Sequence, residues 1–241
     1  MNTVNACKSL LNNTKRRDLS LYVFDNASSD GTKEALKDLN LSFIENGKNI
    51  GFGAAHNKIL GFEMFDYHFI INPDITVSSD VLSDIADFMD ENPDISLMMP
   101  KILNSDGTEQ FLPKRIPTAK YLFLGRLERL FKSLSKVRDE YTRKFDNIDT
   151  VTDIDFCSGC FMCIRSDVFK ALGGFDERFF MYLEDADLTL RAQKFGRTVI
   201  APQFCVTHLW DRSSAKSIKY LFIHLSSAFK FLIKQKRKHK K

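Results

Sequence analysis

The sequence predicts an α/β fold with a mostly parallel central sheet flanked by helices. Three observations predict it. Short apolar runs alternate with amphipathic runs along roughly the first 130 residues, the pattern of successive β-α units. Polar clusters rich in Asn, Asp and Gly follow the apolar runs, where an open α/β sheet gathers its ligands. The composition, 44% hydrophobic and 27% charged over 241 residues, is that of a globular chain with a sizeable core. It excludes a disordered chain, a collagen and a disulfide mini-protein.

Residues 4–11 read as a helix. LYVFD at 21–25 is a short apolar strand, and residues 30–39 are helical. LSFIE at 41–45 is the next strand, followed by a helix over 52–65. HFIIN at 68–72 is the third strand and residues 79–90 the helix after it. ISLMM at 95–99 is a fourth strand, ended by Pro100. Residues 117–144 read as basic amphipathic helix, an excursion from the sheet, and residues 151–164 as extended chain. Residues 184–195 form a helix with an acidic first turn; Leu188, Ala192 and Phe195 keep helical spacing. Residues 198–208 are extended again and 214–236 helical. No repeat or low-complexity linker appears. The reading is one domain over 1–213, with a basic excursion at 114–144, and a basic amphipathic tail over 214–241.

The net charge of +4 hides an uneven distribution. Residues 216–241 hold nine Lys/Arg and no acid, and residues 114–144 hold ten Lys/Arg against three acids, which leaves a net-acidic remainder. Two basic segments on an acidic body suit an anionic surface. No zinc finger or RNP sequence supports nucleic acid as that partner, so a membrane surface is expected. The apolar-rich stretch 220–233 is broken by His224, two serines and Lys230. It is too short and polar to span a bilayer, which takes about 20 apolar residues. An interfacial anchor and a helix packed on the domain both fit it. The opening MNTVNACKSL lacks the basic-then-apolar pattern of a signal peptide. The expected location is cytoplasmic, peripheral at the inner face of the membrane. The run CSGCFMC contains two C-x2-C spacings, a metal pattern on paper. Its apolar interior and the lack of a second facing motif favour buried free thiols in a reducing compartment.

Five clusters could carry chemistry. Asp25 closes the first strand and opens DNASSDGT; a carboxylate there can accept hydrogen bonds from a base or ribose, or close an Asx-turn. NIGFGAAHN at 49–57 is a glycine-containing turn into a helix, weak as a phosphate loop because it is not GxGxxG. Asn72-Pro73-Asp74 puts two oxygen donors at a strand end, as a hard divalent cation wants and as a plain turn also would. Glu184, Asp185 and Asp187 open a helix, where acids compensate the dipole or a general base can be held. His208 ends a strand-like segment and suits a third metal ligand beside Asn72 and Asp74.

In this order the pieces resemble the family 2 inverting glycosyltransferases with the GT-A fold. The resemblance runs from about Asn5 to about Ser214. It rests on DNASSDGT, NIGFGAAHN, FIINPDI, CSGCFMCIRSDVFKALGGFDERFFMYLEDADLTLRAQKFG and the later His208. The NPD form and the FFMYLEDADL run are similar to those of bacterial rhamnosyltransferase-type enzymes of surface polysaccharide synthesis. The resemblance implies that Asp25, with Asn26 beside it, binds the base or ribose of a nucleotide-sugar donor. It implies that Gly51 and Asn57 shape the donor pocket, and that Asn72 stands at the first position of a DxD motif. Asp74 and His208 would hold Mg²⁺ or Mn²⁺, and Asp185 would be the catalytic base. The implied reaction moves rhamnose from dTDP-rhamnose to a saccharide or lipid-linked acceptor, with galactofuranose and glucose as other donors. The resemblance also implies a strand ahead of the first helix. The sequence opens at that helix, so the sheet is expected to lack this strand, and a truncated or non-catalytic relative that keeps the fold is the alternative.

Overall fold

The computed structural model describes residues 2–15, 18–62, 65–124, 134–210 and 218–238. Helix α1 (Asn2–Asn13) buries Ala6, Cys7 and Leu10 and leads to β1 (Tyr22–Asp25). Helix α2 (Thr32–Leu36) crosses back to β2 (Ser42–Glu45), which pairs in parallel with β1. Helix α3 (Phe52–His56) tightens into a 3₁₀ turn over Asn57–Gly61 and ends there, short of the expected residue 65, because Phe62 is extended. Strand β3 (Tyr67–Ile71) and the short β4 (Ile75–Thr76) follow. Helix α4 (Val81–Glu91) lays Val81, Ile85 and Met89 on the core at helical spacing and hands over to β5 (Ile95–Leu103). Strand β5 does not stop at Pro100. The register with its neighbour shifts between Pro100 and Lys101, and this irregularity tolerates a residue that cannot donate to the ladder.

The described residues of the excursion do not form helix throughout 117–144. Its described parts are a π-helical turn (Lys120–Leu124) and helix α5 (Ser135–Tyr141). The rest of the expected helix, 125–133, lies outside the described residues. Strand β6 (Thr152–Asp153), strand β7 (Phe161–Arg165), helix α6 (Ser166–Ala171), helix α7 (Glu184–Ala192), strand β8 (Arg197–His208) and helix α8 (Ile218–Lys238) complete the fold.

The α/β class and the helix-flanked central sheet are as expected; the expected mostly parallel character needs correction. In the larger sheet the order is β3-β7-β5-β8-β4, with β6 also on β8. Only β5–β8 is parallel there among the described residues; β3–β7, β5–β7, β4–β8 and β6–β8 are antiparallel. Two of the four antiparallel pairs follow from β7, which is reached through the excursion. It returns between β3 and β5 against both.

Strands β1 and β2 form a separate sheet. Between β1 and β3 lies a cavity of about 610 Å³, lined by Leu21 to Asp25 on one side and Tyr67 to Phe69 on the other. Side chains alternate across a strand, so unbroken runs of lining residues mean that both strands face the cavity edge-on. Thr3, Ala6 and Leu10 of α1 and Ala55 of α3 also line it.

The main core joins Ile70, Ile85, Met89, Leu97, Met98, Phe161 and Phe169, all fully buried. A second cluster joins Leu122, Phe156, Phe179, Leu183, Ala186, Ala228 and Phe231. Helix α8 is therefore packed on the domain, and Phe231 is not available to a membrane. Each such buried aromatic side chain stabilises by about 1.5–3 kcal/mol. The five cysteines are free, four of them buried. Burial pushes the Cys160 thiol up to about 12. Four buried free thiols fit the buried-thiol reading.

Candidate active site

The expected site residues fall into four groups. Asp25, Asn26 and Asn72 line the cavity between β1 and β3. Asp25 closes an Asx-turn, accepting from the Ser28 N–H at 3.0 Å, which fixes the carboxylate at the strand end. Asn26 is spent on its own loop: its Nδ2 donates to the Gly51 carbonyl at 3.1 Å and its Oδ1 accepts from Asn46 at 3.1 Å.

Gly51 and Asn57 do not line that cavity. Both hold the 175–180 segment. Gly51 has φ 93°, and a Cβ there would stand 2.4 Å from the Phe180 carbonyl oxygen, so no other residue fits. Asn57 donates to the Phe175 carbonyl at 2.9 Å and accepts from its N–H at 2.8 Å, as a third strand partner would.

Asp74 and His208 meet. Ile75 is the register partner of His208, and His208 Nε2 lies 3.2 Å from Asp74 Oδ1. His208 is buried, and its Nδ1 lies 2.9 Å from Gln110 Oε1, while Gln110 Nε2 donates to the His208 carbonyl at 2.8 Å. An amide oxygen accepts, so Nδ1 carries a proton, and Nε2 is turned toward the Asp74 carboxylate, where it could offer its lone pair to a cation held between them. That is the tautomer and orientation of a metal-ligating histidine with an outer hydrogen bond. A carboxylate, an oriented imidazole and a nearby amide suit a divalent cation. Among the described residues no three His, Cys, Asp or Glu side chains cluster, so the rest of the coordination would come from the donor and water.

Asp185 lies in the first turn of α7. Its Oδ2 accepts from the Gly159 N–H at 3.0 Å and its Oδ1 from the Ala186 N–H at 2.9 Å. Gly159 eases this close approach, since a Cβ there would stand a tight 3.3 Å from the Asp185 Cβ and from the Phe52 ring. The next residue, Cys160, accepts from the Asn72 N–H at 2.9 Å. Two consecutive residues thus join the Asn72 turn to Asp185.

Desolvation raises the Asp185 carboxyl above its ordinary range, opposed by the Lys114 ammonium and by the two backbone N–H groups. Lys114 sits over the Phe156 ring at 4.7 Å and is itself lowered by burial. Glu184, buried beside Asp185, is also raised by desolvation and then by the Asp185 charge. Its Oε2 has no hydrogen-bond partner among the described residues. The two adjacent carboxyls disfavour each other's charge, and the hydrogen bonds from the Gly159 and Ala186 N–H groups favour the charge on Asp185. A base must be deprotonated to work, so a raised value moves the loss of activity upward. The rate should fall as pH drops, with its midpoint above about 4, the ordinary aspartate value. A pH–kcat profile checks this; a rate flat down to pH 4 would exclude it.

Gln110, Lys114 and Gly159 are the residues that sequence reasoning missed. Gly159 lies inside CSGC, where nothing in the spacing marks it apart from the cysteines.

The family model described as Glycosyl transferase family 2 matches residues 2–173. The chain belongs to glycosyltransferase family 2. As a family 2 glycosyltransferase it is 27% identical over 235 residues to the N-acetylglucosaminyl-diphospho-decaprenol L-rhamnosyltransferase of Mycobacterium tuberculosis, covering 90% of this chain and 75% of that one. It is 26% identical to rhamnosyltransferase WbbL of Escherichia coli K12, covering 95% of this chain and 88% of that one. Solved structures share the GT-A fold. The mannosyltransferase PcManGT of Pyrobaculum calidifontis, in complex with GDP-Man and Mn²⁺, aligns at TM-score 0.57 with 17% identity, over 92% of this chain and 59% of that one. Staphylococcus aureus TarS aligns at TM-score 0.59 with 16% identity, over 87% of this chain. This glycosyltransferase spans only 34% of the length of TarS.

Proposed function

We propose that this protein is an inverting rhamnosyltransferase that moves rhamnose from dTDP-rhamnose to a lipid-linked saccharide in surface polysaccharide synthesis. The observation that carries it is the pairing of Asp74 with an oriented His208, joined through Cys160 and Gly159 to Asp185. The two rhamnosyltransferase relatives support the choice of sugar.

Asp25 would take the base or ribose of the donor, with Asn26 shaping its loop and Asn72 at the diphosphate. Asp74 and His208 would hold a divalent cation, Mg²⁺ or Mn²⁺, which neutralises the diphosphate charge. Asp185 takes the proton of the acceptor hydroxyl as that oxygen forms its bond to the anomeric carbon. The bond from that carbon to the diphosphate oxygen breaks, and the nucleoside diphosphate leaves with the electron pair. One displacement inverts the configuration, and no enzyme nucleophile is used.

No described helix is long and apolar enough to cross a membrane. The outer side of α8 nonetheless exposes Phe222 and Phe229, each 66% accessible, with Lys219 one turn before Phe222. We read this face as a contact with anionic lipid at the inner membrane surface, where each basic residue contributes about 1 kcal/mol. A panel of nucleotide-sugars, run with a polyprenyl-diphosphate saccharide in neutral and in anionic vesicles, tests both readings. dTDP-rhamnose should be the donor consumed, with faster turnover on anionic vesicles. Consumption of another sugar would overturn the donor, and equal rates on both vesicles would overturn the lipid contact.

One observation favours a second reading, a relative that keeps the fold without turnover. The cavity that separates β1 from β3 lies beside Asp25 and Asn72, where the donor would bind. Absence of transfer across the whole panel, with the cation present, would select it.

A further inference from the structure

A single ammonium ties both ends of the segment that delivers Asp185. Lys234 Nζ, on α8, lies 2.6 Å from Asp176 Oδ2 and 2.6 Å from Asp187 Oδ1. Asp187 is fully buried. Its Oδ2 accepts from Arg191 Nε at 2.7 Å, whereas its Oδ1 takes no hydrogen bond among the described residues and is offset by Lys234. Arg178 Nε donates to Asp176 Oδ1 at 2.8 Å.

The segment between the two carboxylates has work to do. The Phe180 carbonyl accepts from the Phe52 N–H at 3.0 Å, which anchors the turn into α3. Tyr182 and Leu183 are both left-handed, with φ 71° and 67°, and they make the sharp turn that aims Glu184 and Asp185. A non-glycine residue in this conformation persists only where its surroundings hold it. Helix α8 supplies those surroundings. Ser227 Oγ donates to the Met181 carbonyl at 2.8 Å, Lys230 Nζ donates to the Arg178 carbonyl at 2.7 Å, and Phe231 is buried against the cluster that holds Phe179 and Leu183.

We propose that Lys234 is a positioning residue for transfer. It pins the 176–187 segment at both ends, and thereby fixes the direction of the Asp185 carboxylate. The proposal rests on the reading of Asp185 as the base. A base displaced by an ångström loses much of its value, on the order of 10²-fold. The loss falls on the acceptor hydroxyl, which is held in one place, more than on a water molecule, which can follow the base.

The test compares Lys234→Met, Lys234→Arg, Asp176→Asn and Asp185→Asn in the full chain, with kcat, donor KM, the ratio of transfer to donor hydrolysis, and Tm. Lys234→Met should lower kcat for transfer by about 10–10²-fold. It should leave donor KM within about twofold and shift product toward hydrolysis. Lys234→Arg should restore most of the transfer. A merely structural loss would scale transfer and hydrolysis together, leaving their ratio unmoved, and that result overturns the proposal. If Lys234→Met does not fold, Asp176→Asn decides, because it frees one end only; an unchanged ratio there overturns the proposal equally. Retained transfer by Asp185→Asn would instead overturn the base reading, whatever Lys234 does.

Discussion

Asp185→Asn is expected to lower the rate of transfer by about 10²–10⁴-fold, the usual worth of general base catalysis. An amide takes no proton from a hydroxyl, yet its oxygen can still accept the Gly159 N–H that the carboxylate accepts at 3.0 Å. The first turn of α7 should therefore keep its place. The substitution also removes a charge that burial disfavours, so no loss of folding is expected. Donor affinity should be largely unchanged, since Asp25 and Asn72 lie across the segment that Gly159 and Cys160 occupy. Initial-rate kinetics and titration with dTDP-rhamnose measure the two quantities separately. Near-native turnover would return Asp185 to helix capping.

The second large effect concerns the cation. Asp74→Ala is expected to abolish cation-dependent donor binding, and His208→Ala to weaken it. Removing Asp74 takes away the carboxylate and leaves the His208 imidazole, held by Gln110, facing empty space. Gln110→Ala should show a smaller loss of the same kind, because it frees the ring to turn while leaving Nε2 intact. Calorimetry of donor binding with Mg²⁺ or Mn²⁺, and again after EDTA, reads all three. Donor affinity indifferent both to EDTA and to Asp74→Ala would mean that the pair is a buried hydrogen-bonded contact and nothing more.

The sequence shows the ends of elements better than their directions. Asp25, Asn72, Asp185 and His208 were legible because each stands where an apolar run stops or a helix starts, and local rules mark such places. Gln110 was not legible: its partner His208 is 98 residues away, and nothing local to FLPKR or GTEQ announces that contact. Lys114 was counted among the basic residues of an excursion, although the fold turns it inward over Phe156. Strand direction was misread for the same reason. The run FMCIR carries no mark of its orientation, and only the return path of the chain makes it antiparallel to β3 and β5. Pro100 ended a strand on propensity alone, but the ladder absorbed it at a register shift. In the tail, helical spacing leaves an interfacial anchor and a packed helix both open; tertiary packing buries Phe231 and leaves Phe222 and Phe229 outside.

Single displacement with Asp185 as the base is the centre of this account, and stereochemistry tests it most directly. Transfer from dTDP-rhamnose to a polyprenyl-diphosphate saccharide can be followed by NMR of the new anomeric proton and carbon. The account predicts a product whose anomeric configuration is opposite to that of the donor. Retained configuration would contradict it, because retention through two displacements requires an enzyme nucleophile.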